Sequence, residues 1–259
     1  MGRQPLEDFP RMRSHRALLS AAGLLACLLP SPVKASDGTF ADPAHHFTLE
    51  APAGWRLMDA DELQRINDAL PDFARDQDVR YVAALRPVED MPHGYPYALV
   101  QIVPLKSEDP SWDELEKGLN IGVPKGVSQV KDALGEKAPD LVQPTTTVDR
   151  ARNRYVTQLS FEKTDAGPVD GLSTGHVGRG QIVLVHTYAV RADFAASQSA
   201  FDQLNDSLRW EAGHEFVPGP GRWGSLGEKA LIGAIAGAVG ALVGQAWRRR
   251  KRRRADAGA

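Results

Sequence analysis

The stretch that decides the fold reads GLSTGHVGRGQIVLVHTYAV and covers residues 171–190. Its second half, residues 181–190, is apolar at odd-numbered and even-numbered positions alike, which is typical of a strand buried on both faces. Gly178-Arg179-Gly180, between the two halves, has the composition of a hairpin turn. The stretch therefore predicts two antiparallel strands, of which the second lies in the centre of a sheet.

Further strands are predicted before this hairpin. Residues 154–162 alternate cleanly, with Tyr155, Leu159 and Phe161 on one side. Strands are also predicted at residues 46–50, 55–58, 79–86 and 97–105.

Helices are predicted where capping residues precede an apolar periodicity. Asp59 with Glu62, and Ser111 with Glu114, have the spacing of capping boxes. The first box opens a helix that reaches residue 73, and the second opens one that ends at Leu119; a third helix is predicted at residues 127–138. Asp193 is predicted to cap a last helix, whose stripe comprises Phe194, Phe201, Leu204 and Leu208. Hairpins dominate, so the fold class is α+β, a mostly antiparallel sheet flanked by helices.

The N-terminus has the layout of a secretory signal peptide. Arg11, Arg13 and Arg16 precede an apolar run at residues 17–29, and Val33-Lys34-Ala35 places small residues before a cleavage point after Ala35. Residues 1–35 are therefore predicted to be removed. Lipoprotein processing at Cys27 and an uncleaved anchor remain alternatives.

The C-terminus predicts one membrane span. Residues 230–247 carry no charge, and eighteen helical residues are about 27 Å long, near the thickness of a bilayer core. Residues 248–254 are all basic, which favours a cytoplasmic tail at 248–259. A Gly/Pro-rich linker at 211–229 would join this span to a domain at 36–210. The predicted location is a bacterial inner membrane, with the domain in the periplasm.

Glycines within the predicted span form a stripe. They recur at steps of four, three and four residues, so they share one helix face and let a second helix approach closely. The predicted partner is a second copy of the chain or another membrane helix, besides the lipid bilayer itself. The four are Gly233, Gly237, Gly240 and Gly244.

The charge distribution argues against nucleic acid as a partner. Residues 36–247 hold 19 Lys/Arg against 30 Asp/Glu, a net charge of −11, which repels phosphate backbones. Cys27 is the single cysteine of the chain, so a mature domain has neither a disulfide nor a thiolate metal site. No cofactor motif is present.

Residues 171–175, GLSTG, match the GxSxG pattern of hydrolases. That chemistry needs Ser173 on a sharp strand-to-helix turn, followed by an acid and a histidine. Asp193 and His214 have the required order, but the next element is predicted to be a strand. A serine within a strand is the favoured interpretation.

Histidines offer two weaker candidates for a site. His45 and His46, near Asp42, resemble a metal site, but neighbouring strand residues point to opposite faces, so no metal is predicted. His176 and His186 lie on adjacent predicted strands and would face one side together. Ordinary buried histidines of a sheet are the favoured interpretation.

Residues 91–97, MPHGYPY, form an aromatic, proline-bearing loop. Such loops often make contacts with partners, and His93, Tyr95 and Tyr97 are the candidate contact residues. Packing of these side chains onto the domain is the alternative.

Two short segments resemble PsbP-like domains, the bacterial relatives of a photosystem II extrinsic subunit. Residues 47–55, FTLEAPAGW, are similar to the opening strand and turn of that family, and residues 201–208, FDQLNDSL, resemble its last helix. The resemblance covers residues 40–210 and implies an antiparallel sheet between helices with a non-catalytic binding or assembly role. It assigns no functional residue.

The leading functional hypothesis is a non-catalytic binding or assembly module presented at the membrane. A hydrolase using Ser173 is the first alternative. A secreted protein sorted by its tail is the second, although the chain lacks the Pro-Glu-Pro or Gly-Gly pair of such tails.

Overall fold

The computed structural model describes residues 38–219, apart from residues 90, 92–93, 106–109 and 135–139. The strands are β1 (Thr39–Asp42), β2 (Phe47–Glu50), β3 (Trp55–Leu57), β4 (Tyr81–Pro87), β5 (Tyr97–Pro104), β6 (Thr145–Asp149), β7 (Arg154–Phe161), β8 (Val169–Gly178), β9 (Gln181–Val190) and β10 (Arg209–Trp210). The helices are α1 (Ala60–Asp68), α2 (Asp72–Arg75), α3 (Trp112–Leu134) and α4 (Arg191–Asp206).

Two antiparallel sheets organise the domain. The larger has seven strands in the order β3-β4-β5-β9-β8-β7-β6, and the smaller has the order β1-β2-β10. Strand β9 is the fourth of seven strands, which confirms the central position predicted from its apolar residues at odd-numbered and even-numbered positions. The α+β class with a mostly antiparallel sheet is likewise confirmed within the described residues.

The β8–β9 hairpin fixes which side chains face which side of the large sheet. Its turn has two residues, Arg179 and Gly180, because Gly178 already pairs with Gln181 in the ladder. Gly180 adopts φ +71°, a conformation that glycine reaches without strain. In the resulting register, an odd-numbered residue of one strand lies opposite an even-numbered residue of the other, as Ser173 lies opposite His186. Two even-numbered residues, one on each strand, therefore point to opposite sides of the sheet.

Different elements cover the two faces of the large sheet. One face, the α3 face, packs against α1, α2 and α3 through residues such as Tyr81, Leu99 and Leu184. The other, the α4 face, packs against α4 and the small sheet, with Val100 and Val185 under Leu204. Both layers are closely buried, so each side chain of β9 except the outermost ones is enclosed.

Helix α3 corrects one prediction. A single helix of 23 residues replaces the two helices predicted at 111–119 and 127–138. Pro124 lies inside it and removes one backbone hydrogen bond. The helix continues because its apolar side chains recur at helical spacing and bury against the sheet, which outweighs local propensity. They are Trp112, Leu115, Leu119, Val123, Val127 and Val130.

The N-cap predicted from the sequence is present in α1 but not in α4. In α1 the Asp59 carboxylate accepts from Glu62 N at 2.8 Å, and Glu62 accepts from Asp59 N at 3.0 Å, so the capping box is confirmed. In α4 the N-cap is Val190, without a side-chain hydrogen bond, and Asp193 lies in the first turn. The prediction of Asp193 as the cap is wrong because β9 continues directly into the helix.

The segment after β10 is not a free linker at its start. Residues 211–219, called the strap here, run around the β8–β9 turn, and Glu215 forms a β-bridge with Gly178. Phe216 is 5% exposed and packs edge-on against Trp112, with ring centroids 5.1 Å apart. The linker predicted at 211–229 therefore includes residues that belong to the folded domain.

Candidate functional site

Ser173 lies in the middle of β8 rather than on a turn. Its register partners are Thr157 on β7 and His186 on β9, and its side chain is 2% exposed. A nucleophile elbow needs a strand that ends at the serine and a helix that begins after it. Here β8 continues for five more residues, so the GxSxG match does not form an elbow.

The acid and histidine in the required order do not reach Ser173. Asp193 belongs to α4, which packs on the opposite face of the sheet. His214 lies in the strap and stacks on His46. The structure therefore does not assemble a Ser-His-Asp triad from these residues.

His186 faces Ser173 across the hairpin but is not arranged as a general base. Its Nε2–H donates to Gln101 Oε1 at 3.2 Å, and within the described chain Nδ1 has no hydrogen-bond partner. Burial without a neighbouring carboxylate lowers the pKa of His186 to about 3. A histidine in this setting stays neutral and lies out of reach of solvent.

His176 faces the other side of the sheet, so the expectation that the two histidines share a face is wrong. The register of the two-residue turn explains the difference, since both residues have even numbers. The Nε2–H of His176 donates to Asn205 Oδ1 of α4 at 3.1 Å, and burial lowers its pKa to about 4. Both are buried histidines of a sheet.

His45 and His46 lie in the turn between β1 and β2, not on a strand. His45 Nδ1 is 2.9 Å from Asp42 Oδ2, whereas His46 Nδ1 is 2.8 Å from Glu211 Oε2 in the strap. The His46 ring stacks on His214, with centroids 3.6 Å apart and planes 15° apart. Among the described residues, no group of three or more His, Cys, Asp and Glu is arranged to hold a metal ion.

The tyrosines of the predicted contact loop lie in the core. Tyr95 and Tyr97 are each 3% exposed, and the Tyr97 ring lies 5.1 Å from that of Tyr188. Burial raises the pKa of Tyr95 to about 12. These two side chains pack on the domain, as the alternative interpretation expected, and are not presented to a partner. His93 lies outside the described residues.

A groove that the sequence did not indicate lies beside α4. Its volume is about 740 Å³, and the turn after β2 forms one wall while the outer face of α4 forms the other. Ser207 Oγ fixes the two walls together, because it accepts from Glu50 N at 3.0 Å. The lining residues are Glu50, Ala51, Pro52, Ala53, Gln198, Ser199, Asp202, Gln203, Asp206 and Ser207.

The α4 wall of the groove is polar, the opposite wall includes Ala51, Pro52 and Ala53, and none of the lining residues is a histidine, lysine or cysteine. Asp202 accepts from Gln198 at 2.9 Å, and Asp206 pairs with Arg154 at 2.9 Å. The only available sequence signal was the i, i+4 recurrence of polar residues at 198, 202 and 206 on one helix face. The arrangement offers hydrogen-bonding groups on a concave surface.

The predicted membrane features lie outside the described residues. These are the signal peptide at 1–35, the span at 230–247, its glycines Gly233, Gly237, Gly240 and Gly244, and the basic tail. Within the part of the chain that the structure describes, no helix is long and apolar enough to cross a membrane.

Comparisons with known proteins give likenesses of structure. No protein-family model matches the chain, and no curated protein matches it. The solution structure of cyanobacterial PsbP from Synechocystis sp. PCC 6803 aligns with a TM-score of 0.43 and 13% identity, over 69% of this chain and 95% of that one. The Ran-binding protein Mog1p of Saccharomyces cerevisiae aligns with a TM-score of 0.36 and 10% identity, over 68% and 95%. At these identities, what the chain shares with PsbP and Mog1p is a similarity of fold alone.

Proposed function

We propose that the chain is a non-catalytic binding or assembly module that works outside the cytoplasm at the surface of its own membrane. Residues 230–247 anchor it, the domain lies in the periplasm of a bacterial inner membrane, and residues 248–259 lie in the cytoplasm. The uncharged span next to seven consecutive basic residues supports this topology.

The observation that carries the binding role is the groove between residues 50–53 and α4. It is open, with amide, hydroxyl and carboxylate groups on its α4 side and Ala51, Pro52 and Ala53 on the other. The one serine within a hydrolase-like motif, by contrast, is 2% exposed and faces the α3 side of the sheet. Binding partners recognise concave surfaces with a few well-placed polar groups, so the groove is the proposed contact surface.

Site-specific photo-cross-linking tests this role in native membranes. A photoreactive residue at Gln203, inside the groove, should give a discrete adduct with one partner protein. The same residue at Lys163, whose side chain is 81% exposed outside the groove, is the matched control and should give none. Ala53→Trp, which fills the groove, should abolish the Gln203 adduct. An adduct that survives Ala53→Trp, or equal adducts at both positions, would argue against the groove.

Topology has its own test. A reporter active only outside the cytoplasm should be active when fused after Gly219 and silent when fused after Ala259. An active fusion at Ala259 would overturn the orientation.

We also propose that the glycine stripe of the span mediates association with a second copy or with another membrane helix. Close packing drives helix association in lipid, so Gly237→Ile and Gly240→Ile should each weaken the signal of a membrane association reporter that carries residues 226–254. Ile235→Leu lies off the stripe and serves as the control. An unchanged signal for both glycine variants would leave the span as an anchor only.

A further inference from the structure

The large sheet ends at β6, and no strand of the described chain lies along the outer edge of β6. This strand pairs with β7 along all five of its residues and is the last in the sheet order. At the other end of the sheet, β3 has only three residues. Among the described residues, no backbone hydrogen bond joins residues 145–149 to an element other than β7. The outward amide and carbonyl groups of β6 can therefore receive a further strand.

The sequence of β6, TTTVD, lacks the features by which proteins keep the edges of their sheets unpaired. Those features are lysine, proline and bulges. Pro144 precedes the strand without interrupting it, and the register along β6 has no bulge. Val148 packs towards the core on the α3 face, whereas Thr145 and Thr147 point to the other face and are exposed. The exposed side chains of the strand are thus uncharged and β-branched, which favours strand pairing.

The strand is complementary to itself in the antiparallel direction. When two copies align with Thr147 opposite its own copy, Thr145 lies opposite Asp149, and Thr146 lies opposite Val148. The single charge of the strand then faces a hydroxyl group instead of a second carboxylate. Residues 36–247 carry a net charge of −11, so two copies of the chain repel each other least where an uncharged strand meets an uncharged strand.

We propose that β6 pairs antiparallel with β6 of a second copy of this chain, centred on Thr147, so that the two large sheets join into one continuous sheet. Backbone hydrogen bonds along the edge supply the attraction, and the position of Asp149 sets the register. β6 contributes no residue to the groove beside α4, so this pairing is independent of the proposed contact surface.

Disulfide cross-linking of the full-length protein in native membranes tests the pairing, in a Cys27→Ser background. Facing residues of an antiparallel pair have Cα atoms about 4.5–5.5 Å apart, within the range that a disulfide bridges. Thr147→Cys should therefore give a covalent dimer on oxidation with copper phenanthroline. Gln158→Cys is the matched control, since Gln158 is exposed on the same side of the sheet, one strand inwards. It would lie three strand spacings, roughly 14 Å, from its copy and should give no dimer.

The register has a separate test in the same assay. Thr145→Cys alone should remain monomeric, because Thr145 lies four positions away from its own copy along the pair. Co-expression with Asp149→Cys should give the mixed dimer. Mass spectrometry of the linked band should find this chain alone. Absence of a dimer at Thr147→Cys, an equal dimer at Gln158→Cys or a different protein in the band would overturn the proposal.

Opposite charges at the centre of the pair separate a lost interface from a lost fold. Thr147→Asp and Thr147→Lys should each weaken self-association by about fivefold, because like charges then face each other across the pair. A mixture of the two variants, carrying different tags, should associate at least as well as wild type in co-purification from detergent. Gln158→Asp should leave association unchanged. Charged variants that each associate with themselves as wild type does, or a mixture without recovery, would show that β6 is not the interface.

Discussion

The two faces of the large sheet each bury one histidine, yet they use it differently. On the α4 face, His176 donates to Asn205, so a polar contact joins the sheet to the helix layer above it. On the α3 face, His186 donates to Gln101, so its hydrogen bond stays between neighbouring strands of the sheet. The α4 face thus has a directional contact between layers where the α3 face relies, at this histidine, on packing alone.

The two faces nevertheless share one packing feature, an aromatic ring placed against a glycine of β8. A Cβ at Gly175 would overlap the ring of Tyr155 on the α3 face. A Cβ at Gly178 would lie 2.5 Å from Trp210 on the α4 face. On both faces an aromatic ring lies over a glycine, so the two layers differ in polar contacts rather than in closeness of packing.

The largest effect of a single substitution is expected from truncating the apolar contact of the α4 face. Leu204 is 0% exposed, and Leu204→Ala should lower the free energy of unfolding by about 3 kcal/mol, because it leaves a cavity against β5 and β9. Ile121→Ala on α3 is the matched control, since Ile121 is 62% exposed and should change stability by less than about 0.5 kcal/mol. Denaturant titration of both variants measures the difference. Equal losses would mean that Leu204 is not in the core.

Acid should weaken both faces through their histidines. Burial lowers the pKa of His176 to about 4 and that of His186 to about 3, below the ordinary value near 6.5. The unfolded chain therefore binds more protons below pH 6.5, and stability is full above about pH 7 and is lost as the pH falls towards 4. Each histidine should cost roughly 2 kcal/mol between pH 7 and pH 5.

Single and double substitutions test how much of this pH dependence each of the two histidines causes. His176→Gln and His186→Gln keep a donor for Asn205 or Gln101 but do not titrate. Each should remove about half of the pH dependence, and the double variant most of it, since the two residues lie on opposite faces and do not share a partner. An unchanged pH dependence in the double variant would contradict burial as the cause.

Breaking the contact between layers should have an intermediate effect. Asn205→Ala leaves the Nε2–H of His176 buried without its acceptor, which should cost about 2 kcal/mol. Gln198→Ala, on the exposed side of the same helix, should change stability by less than about 0.5 kcal/mol. If both variants behave alike in denaturant titration, the polar contact contributes nothing to the joining of α4 and the sheet.

The smallest effect is expected from a hydroxyl on the α3 face. Tyr155 is 1% exposed, and its hydroxyl has no hydrogen-bond partner among the described residues. Tyr155→Phe should therefore leave the free energy of unfolding unchanged or raise it by up to about 1 kcal/mol, because no hydrogen bond is lost. A clear loss of stability on thermal unfolding would mean that the hydroxyl is satisfied in the folded protein.

The sequence was informative where a local pattern matches a local cause. The apolar run of β9 predicted its central place, and Asp59 with Glu62 predicted a cap that involves only the backbone amides of those two residues, three positions apart. The four-residue β1 and the two-residue β10 were not predicted, because strands this short form only when β2 pairs with them. Continuity of α3 across Pro124 depends on burial against the sheet, which no local pattern contains.

The candidate site was less accessible to prediction for a related reason. The GxSxG spacing around Ser173 alone does not distinguish an elbow from a strand, and it was the pattern of the following strand that predicted a serine within a strand, as β8 has it. The groove joins Glu50 to Ser207, 157 positions apart along the chain. The stacked His46 and His214 are also brought together by the fold, since β10 pairs with β2. Contacts between residues so far apart in the sequence depend on the topology of the fold, and no local sequence pattern predicts them.

The strap also determines how a mechanical load would enter the domain. A pull on residue 219 first meets the hydrogen bond from Gly219 N to Pro110 O and the buried ring of Phe216, then the Gly178–Glu215 bridge, then the stacked histidines, and only afterwards the two residue pairs of β10 with β2. Contacts arranged in series yield one at a time, so the load peels them instead of shearing them together. The strap is therefore expected to open before the seven-stranded sheet when the chain is pulled at residue 219.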